Sequence, residues 1–359
     1  MGKAMIIERL NVPTHQEVVC CRGEATGLQA IIAIHDTTFG PAVGGTRMWR
    51  YTTEAEALAD ALRLSAAMTY KAVAADLPFG GGKAVIIGNP ERDKSEERLR
   101  AFGRFVESLE GRFLTGDDVG VSADDLRIVA RETKYVVHPA KDPAKGMDSQ
   151  WDTSYITALG VLHGIKAAAQ QRFQTSSLSE VSVAIQGLGK VGGWLARLLH
   201  AEGARLSLTD LDHGRLLDIA GQLNARAVSP SEIYRVEADV FSPCALGGVL
   251  NDEVIPLLKC RVVAGAANNQ LAQPRHAEEL RKRGVLYAPD YVINAGGLIS
   301  ALYEMGRCDG ETTLRRTAEI YDRLMSIFAL ARRSKISPAS AADHLVEDKI
   351  RRAKKERSR

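Results

Sequence analysis

Residues 181–193, VSVAIQGLGKVGG, decide the fold of this chain. An apolar run of strand length is followed at once by the motif G-x-G-x-x-G, with glycines at Gly187, Gly189 and Gly192. In such a motif the first glycine allows a tight turn, the second lets the backbone approach a pyrophosphate, and the third allows close helix–strand packing. Residues 193–200 have helical character, and the free N–H groups of a helix N-terminus attract phosphate. The stretch therefore predicts a strand–loop–helix unit that binds a dinucleotide.

An acidic residue follows where such a unit needs one. Asp210 ends the next apolar run, 18 residues after Gly192, and a carboxylate there is placed to accept hydrogen bonds from the adenosine ribose. Because a carboxylate repels a 2′-phosphate, Asp210 favours NAD over NADP. The alternative is that Asp210 only caps a turn, and the nearby His213 and Arg215 leave the NAD preference open.

The second half of the chain alternates apolar runs with helical or loop stretches, which predicts βαβ units and a parallel sheet. We expect an α/β fold with a Rossmann-type NAD-binding domain over residues 150–330. The predicted strands are 181–185, 205–209, 238–241, 261–264 and 285–287. Loops at the carboxyl ends of parallel strands face the ligand, so we expect the small, amide-rich loops 243–248, 265–270 and 294–297 to border the nicotinamide.

The first half, residues 1–138, is predicted to form an α/β substrate-binding, catalytic and oligomerisation domain. Capping patterns at Thr53, Ser95 and Ser122 predict three helices, the first reaching Lys71 and the second about Leu109. The other predicted elements are strands at 29–34 and 84–87, turns at 40–47 and 111–120, and a helix break at Pro78 and 80–82.

The ends of the domains have their own signals. Residues 135–153 are polar and contain two prolines, which is typical of a linker or a mobile loop. The chain is charged and helix-prone from about Thr312, and we expect helices at about 330–359 to complete the first domain. Residues 349–359 hold seven basic side chains and one acid, and we expect this tail to be solvated and frayed.

The composition of the chain limits the classes of protein to which it can belong. A length of 359 residues predicts about two domains, and the hydrophobic and charged fractions of 45% and 25% are those of a globular protein. We find neither an apolar run long enough for a membrane helix nor a signal-peptide core. The formal charge of +3 comes from the basic tail, which is not a nucleic-acid footprint. The five cysteines form no C-x-x-C pair, so we expect reduced thiols in the cytoplasm, and no metal site.

Two lysines flank a glycine-rich loop in segments otherwise poor in charge. Taken singly, Lys71 and Lys83 are equally compatible with structural roles, but together with Asp118 they predict a site that binds an anion and moves protons. One lysine can hold a carboxylate as a point charge. Its charge and partial burial lower the pKa of the second lysine from about 10.4 toward about 7–8, where it serves as a base.

These motifs, in this order, resemble the leucine/phenylalanine/valine/tryptophan amino-acid dehydrogenases, relatives of glutamate dehydrogenase. The resemblance spans nearly the whole chain. The motifs that carry it are GPAVGGTR (40–47), MTYK (68–71), GGGK (80–83), DV (118–119), GLGKVG (187–192), AANNQ (266–270) and PDYVINAGG (289–297).

The resemblance implies reversible NAD-dependent oxidative deamination of an L-amino acid to a 2-oxo acid and ammonia. It implies that Lys71 binds the substrate carboxylate, that Lys83 activates the attacking water, and that Asp118 exchanges protons with the substrate amine. It also implies closure of a cleft between two domains and a homo-oligomer, a dimer or larger. The other residues expected at the substrate are Gly44 and Asn268; those expected at the cofactor, besides the motif glycines and Asp210, are Arg47, Thr157, Lys190, Val191, Cys244, Ala245 and Asn269.

The family's side-chain pocket maps onto Val43, Gly116, Leu298 and Ala301. Leucine-type members usually carry alanine and valine where this chain has Gly116 and Ala301. Two smaller residues leave more room, so we predict a pocket that favours phenylalanine or tryptophan over leucine; a leucine or branched-chain dehydrogenase is the alternative. None of the four is basic, which argues against a glutamate side chain.

Two other hypotheses remain. A nicotinamide-dependent enzyme for 2-hydroxy acids would need a His/Asp relay, which does not stand out in this sequence, and ammonia dependence would discriminate it. An NAD-binding regulatory protein without turnover would not need Lys71, Lys83 and Asp118 together.

Overall fold

The structure, a computed structural model, describes residues 5–137 and 152–358. It divides into two compact units, Met1–Asp142 with Asp348–Arg359, and Pro143–Glu347. Most of the predicted 135–153 linker lies outside the described residues. No helix in the described ranges is long and apolar enough to cross a bilayer.

A six-stranded mixed sheet forms the centre of the first unit. Its order is β1-β2-β3-β5-β4-β6, with β1, β2, β3 and β5 paired antiparallel and β4 paired parallel to both β5 and β6. The strands are β1 (Ile6–Leu10), β2 (Glu17–Gly23), β3 (Leu28–Asp36), β4 (Ala42–Trp49), β5 (Gly80–Ile87) and β6 (Phe113–Asp117).

Helices cover both faces of this sheet. They are α1 (Glu54–Ala74), α2 (Glu96–Glu107) and α3 (Ala123–Val129). The predicted caps are confirmed, since the side chains of Thr53, Ser95 and Ser122 accept hydrogen bonds from backbone N–H groups of the first turns. Alternate side chains of β3 point to opposite faces, so Ile31 packs with α1 whereas Ile32 joins the larger core around Phe102.

Two glycine-rich turns predicted for this unit were wrong. The turn predicted at 40–47 is largely strand β4, and the turn predicted at 111–120 contains β6. Helix α1 does end before the predicted break at Pro78 and 80–82, but β5 begins at Gly80 and not at residue 84. Close backbone approach explains the glycines. A Cβ at Gly44 would lie 1.7 Å from the carbonyl oxygen of Gly82, and one at Gly81 would lie 2.1 Å from the backbone nitrogen of Thr69 in α1.

The second unit contains the predicted parallel sheet. Its strands follow the order β12-β11-β10-β7-β8-β9, and every pair is parallel. Counted from β7, this is the 3-2-1-4-5-6 order of doubly wound dinucleotide-binding domains. The strands are β7 (Ser182–Gln186), β8 (Arg205–Thr209), β9 (Arg226–Ala227), β10 (Val240–Pro243), β11 (Val262–Val263) and β12 (Leu286–Tyr287).

The remaining helices follow from Thr153 onward. They are α4 (Thr153–Phe173), α5 (Lys190–Ala201), α6 (His213–Gln222), α7 (Arg275–Lys282), α8 (Asp290–Ile293), α9 (Gly296–Glu304), α10 (Gly310–Ala318), α11 (Ile320–Ser334) and α12 (Pro338–Arg357). The predicted C-terminal helices are confirmed.

The basic tail differs from its prediction. Helix α12 continues to Arg357, and the residues from Asp348 onward are grouped with the first unit. There Lys349 and Lys354 form ion pairs with Asp76 and Asp36, each at 2.6 Å. The tail is therefore an anchored helix and not a frayed end.

Candidate active site

The most buried lysine of the predicted site is Lys83 in β5, which is only 6% exposed. Its Nζ donates a hydrogen bond to Oδ2 of Asp118, which directly follows β6. The other oxygen of Asp118, Oδ1, accepts the backbone N–H of Val119 at 2.7 Å. The structure thus brings an ammonium and a carboxylate together in the interior of the first unit.

Burial and charge shift both groups of this pair. Burial lowers the pKa of Lys83, although the charge of Asp118 opposes the shift. For Asp118, burial alone would raise the pKa, but the positive charges of Lys83 and Arg47 outweigh it and hold the pKa below its usual value. A lysine with a lowered pKa beside an ionised carboxylate releases and recovers a proton more readily than an exposed lysine.

Arg47 of β4 extends this pair. Its Nε lies 3.5 Å from Oδ2 of Asp118, and its Nη1 donates to Oδ2 of Asp60 at 3.0 Å. The hydroxyl of Tyr51 donates to the same oxygen of Asp60 at 2.7 Å. The family resemblance implied a cofactor contact for Arg47, and the structure places its guanidinium between two carboxylates.

Sequence analysis missed Asp60 and Tyr51. A signal for Asp60 was present, because it lies three residues after Ala57 and four before Leu64 on the buried side of α1. A carboxylate at the edge of such a stripe needs a partner when it is partly buried.

The remaining predicted substrate residues of this unit occupy neighbouring elements. Lys71 lies in the last turn of α1, and the close approach of Thr69 to Gly81 places that turn beside the start of β5, which carries Lys83. Val43 and Gly44 lie in β4, which pairs in register with β6 and its Gly116.

Gly116 has space around it among the described residues. A Cβ added there would have Val137 Cβ, 3.9 Å away, as its nearest neighbour in that part of the chain. A methyl group therefore fits at this position, and the backbone does not require glycine.

The glycines of the dinucleotide motif have the geometry that each role demands. Gly187 adopts a φ of +94°, and a Cβ at Gly192 would lie 2.0 Å from the carbonyl oxygen of Gly187. At Gly189 no heavy atom of residues 5–137 and 152–358 lies within 4 Å of a built Cβ. Helix α5 begins directly after Gly189, at Lys190. A tight turn, an open approach and a helix N-terminus together fit a pyrophosphate.

Asp210 lies at the end of β8, beside this loop. Its Oδ2 accepts the backbone N–H of Leu188 at 2.6 Å, its Oδ1 accepts that of Asp212 at 2.8 Å, and Arg215 Nη1 lies 3.6 Å from Oδ1. The carboxylate is thus fixed against the glycine loop, where a ribose would reach it. A depression of about 450 Å³ adjoins the loop and is lined by residues that include Lys190, Trp194, Arg197 and Arg215.

Loops after β10 and β11 carry other predicted cofactor residues. Cys244 donates its N–H to the carbonyl of Gln186, and Ala245 contacts the position of a Cβ on Gly187, at 2.8 Å. These contacts place both residues at the glycine loop. Asn269 adopts a φ of +50° in the loop that follows β11.

The side-chain amides of Asn294 and Gln270 hold the 265–270 loop by hydrogen bonds. Both residues belong to motifs that carry the family resemblance, but the sequence assigned them no role. The buried Asn294 donates from Nδ2 to Oδ1 of Asn268 at 2.8 Å. Gln270 donates from Nε2 to the carbonyls of Gly265 and Ala267. Asn268 is therefore oriented by the 294–297 loop.

The last predicted residues lie on two helices that pack closely. A Cβ at Gly296 in α9 would lie 2.4 Å from the carbonyl oxygen of Ile156 in α4. Thr157 of α4 donates its hydroxyl to the carbonyl of Thr153 at 2.7 Å. Leu298 and Ala301 are both buried in α9, one turn apart.

Within the described residues, one side-chain group outside these sites has the composition of a cation site, namely Asp252, His276 and Glu279. Arg275 forms ion pairs with both carboxylates. This guanidinium already supplies their positive charge.

Family models match both parts of the chain. The model described as Glu/Leu/Phe/Val dehydrogenase, dimerisation domain, matches residues 11–141, and that described as Glutamate/Leucine/Phenylalanine/Valine dehydrogenase matches residues 210–345.

Individual relatives are similar over nearly their whole length. A leucine dehydrogenase of Geobacillus stearothermophilus is 47% identical, with 96% of this chain and 93% of the relative covered. A phenylalanine dehydrogenase of Bacillus thermotolerans is 49% identical, with 94% and 88% covered. The crystal structure of L-tryptophan dehydrogenase from Nostoc punctiforme matches with a TM-score of 0.84 and 48% identity, over 95% of this chain and 97% of that one.

Proposed function

Because the chain belongs to the glutamate/leucine/phenylalanine/valine dehydrogenase family, we propose that it catalyses NAD-dependent oxidative deamination of a hydrophobic L-amino acid. It is an oxidoreductase of the amino-acid dehydrogenase class. The amino acid, NAD⁺ and water give the 2-oxo acid, ammonium, NADH and a proton, and the reaction is reversible. The observation that carries the proposal is the pair formed by the buried Lys83 and the partly buried Asp118.

The pair provides the proton transfers that this reaction needs. Lys83, whose pKa burial lowers, takes a proton from the water that attacks the imino carbon. Asp118, kept ionised by its cationic neighbours, exchanges protons with the substrate amine. Lys71 holds the substrate carboxylate by charge, with Gly44 of the neighbouring strand β4 beside it, and Asn268 contacts the substrate from its loop.

NAD, when bound, accepts the hydride from the substrate Cα. The residues around the glycine loop fit such a dinucleotide. We propose that the pyrophosphate lies over Gly189, the N-terminus of α5 and residues Lys190 and Val191, and that Asp210 binds the ribose. The other proposed cofactor contacts are Arg47, Thr157, Cys244, Ala245 and Asn269.

The preference for NAD over NADP rests on Asp210. Asp210→Ser should lower kcat/KM for NADH about tenfold and shrink the NADH/NADPH preference, because it removes a ribose acceptor and a negative charge. Asp218→Ser, which removes an exposed carboxylate of α6, is the matched control. A wild-type enzyme that uses NADPH as well as NADH would contradict the assignment.

We propose an aromatic substrate, phenylalanine or tryptophan, in preference to leucine. The support is the space at Gly116 among the described residues and the small side chain of Ala301; the family resemblance also assigns Val43 and Leu298 to the side-chain pocket. A leucine or branched-chain amino-acid dehydrogenase is the alternative, and relatives bearing both kinds of name have similar identity to this chain.

We further propose a cytoplasmic homo-oligomer, a dimer or larger. The support is that residues 11–141 match a model described as a dimerisation domain. Sedimentation of the purified protein at micromolar concentration tests this, and a monomer mass would contradict it. Cell fractionation tests the location.

The deciding experiment is NADH oxidation followed by absorbance, with ammonia and a panel of 2-oxo acids. The panel contains phenylpyruvate, indolepyruvate, 4-methyl-2-oxopentanoate and 2-oxoglutarate, each with and without ammonia. Ammonia-dependent oxidation with an aromatic acid supports both class and substrate. Oxidation with the aliphatic acid alone retains the class and rejects the aromatic pocket. Protein that binds NADH but turns over none of the acids would favour a regulatory role, and Lys83→Ala, which should bind NADH without turnover, is the control.

A further inference from the structure

Arg47 is a second cation next to Asp118, and it is held there by another carboxylate. Its side chain is only 24% exposed, and its Nε is buried without a hydrogen-bond acceptor among the described residues. This Nε lies 3.5 Å from Oδ2 of Asp118, while Nη1 is fixed by Asp60 at 3.0 Å. A shift of a few tenths of an ångström would complete a hydrogen bond from Arg47 to Asp118.

Asp60 is itself held on both oxygens. Tyr51 donates to Oδ2, and Arg63 Nη2 donates to Oδ1, each at 2.7 Å. The side chain of Asp60 is 15% exposed. Three donors on one carboxylate fix its position, and through it the position of Arg47.

We infer that Asp60 is a positioning residue for the proposed reaction. It fixes Arg47 where the guanidinium can replace Lys83 as the cation beside the carboxylate of Asp118 when Lys83 turns to the substrate. This inference rests on the proposed function. When the lysine moves or becomes neutral, a buried carboxylate without a cation would take up a proton and stop accepting one from the substrate amine. An arginine remains charged at any working pH, so Arg47 keeps Asp118 ionised through the cycle.

The charges around the pair determine the sign of the expected effect. Lys83 and Asp118 face each other, and both face Arg47. Behind Arg47 lie Asp60 and the two donors to its carboxylate, Tyr51 and Arg63. Removing the negative charge of Asp60 lowers the pKa of both members of the pair. The two groups titrate as a coupled pair, so the direction is the same whichever of them controls the rate.

The test is the pH profile of kcat/KM for oxidative deamination by Asp60→Asn. We expect the acid limb to move to lower pH by about half a unit, since a neighbouring charge at moderate effective dielectric has this size of effect. We expect kcat to fall about tenfold, since Arg47 is no longer held in position beside Asp118, and KM for the amino acid to change less than about twofold. Asp124→Asn, which removes an exposed carboxylate of α3 paired with Arg127, should leave the profile unchanged.

Arg63→Gln tests the direction of the shift in the acid limb independently. Arg63 is 54% exposed, so its replacement should not affect folding, and loss of its positive charge should move the acid limb to higher pH, by less than the first shift. A shift of opposite sign in the two variants supports the inference. If Asp60→Asn folds and has the wild-type pH profile, the inference is overturned. If Asp60→Asn fails to fold, an unchanged pH profile for Arg63→Gln overturns it. An inactive wild-type enzyme that binds NADH would instead overturn the proposed function.

Discussion

The Nζ of Lys354, near the end of the chain, lies 2.6 Å from Oδ2 of Asp36, a carboxylate that is only 4% exposed at the end of β3. Burial alone would raise the pKa of Asp36, but hydrogen bonds from Lys354 and Thr38 lower it below its usual value. Asp36 also pairs in register with Gly81 of β5, two residues before Lys83. The C-terminal helix thus supplies the cation for a buried acid next to the strand that carries the proposed catalytic lysine.

Lys354→Ala should lower the free energy of unfolding by about 1–2 kcal/mol, because it leaves a buried carboxylate without its cation. The ammonium is 54% exposed, so solvent screens part of the loss and the upper range for buried pairs does not apply. Urea denaturation measures the change. Lys355→Ala, the adjacent exposed lysine of the same helix, is the matched control and should change stability by less than about 0.5 kcal/mol. Equal effects of the two substitutions would contradict a specific role for Lys354.

The same pair predicts a pH dependence. The native pKa of Asp36 is lowered, so its contribution to stability is present above the unfolded pKa of about 3.9 and is lost as the pH falls through the native value. In Lys354→Ala, burial remains and the lysine does not, so the native pKa of Asp36 rises. The difference in unfolding free energy between the two proteins should therefore be largest near pH 7 and shrink on approaching pH 4. A difference that is constant over this range would assign the loss to packing.

This anchoring was not predictable from local sequence. Seven basic residues at a chain end are typical of a solvated tail, and the partner that changes the outcome, Asp36, lies at the other end of the sequence within an apolar strand. The second unit was predicted more closely, because its decisive interactions are local. The strand, the glycine loop and the helix that starts at Lys190 are contiguous, and Asp210 follows directly after the next strand.

In the first unit glycine was misinterpreted. Glycine permits a turn, but it also permits two backbones to lie closer than a side chain would allow. The second use holds at Gly44 and Gly82, which belong to adjacent strands, and at Gly81 against α1. Only the three-dimensional partner distinguishes the two uses, so the strands β4 and β6 were missed although the lysines and Asp118 beside them were identified.

Gly116 and Gly45 are opposite each other on β6 and β4, and they should respond differently to alanine. Gly116→Ala adds a methyl that meets the described residues only in ordinary van der Waals contact, at Val137, so the free energy of unfolding should change by less than about 0.5 kcal/mol. If the substrate pocket includes this position, kcat/KM for phenylalanine should fall about tenfold relative to that for leucine. Paired kinetic assays with the two amino acids measure the ratio.

The matched control is Gly45→Ala, whose Cβ would lie 2.5 Å from the carbonyl oxygen of Asp117. It should destabilise the first unit by about 2 kcal/mol or more, because a backbone atom must move. An unchanged substrate ratio in a fully stable Gly116→Ala would remove Gly116 from the specificity pocket.

The glycine loop of the second unit provides a test that separates binding from folding. Gly189→Ala places a methyl where no heavy atom of the described part of the chain lies within 4 Å, so the stability of the apoprotein should be within about 0.5 kcal/mol of wild type. The same methyl occupies the space through which a pyrophosphate approaches the backbone, so the Kd for NADH, measured by fluorescence, should rise at least about tenfold.

Gly192→Ala is the opposite case. Its Cβ would lie 2.0 Å from the carbonyl oxygen of Gly187, so it should lower the free energy of unfolding by about 2 kcal/mol or more even without cofactor. NADH binding of wild-type strength by Gly189→Ala would mean that the cofactor does not lie over this loop, whatever the fold of the unit.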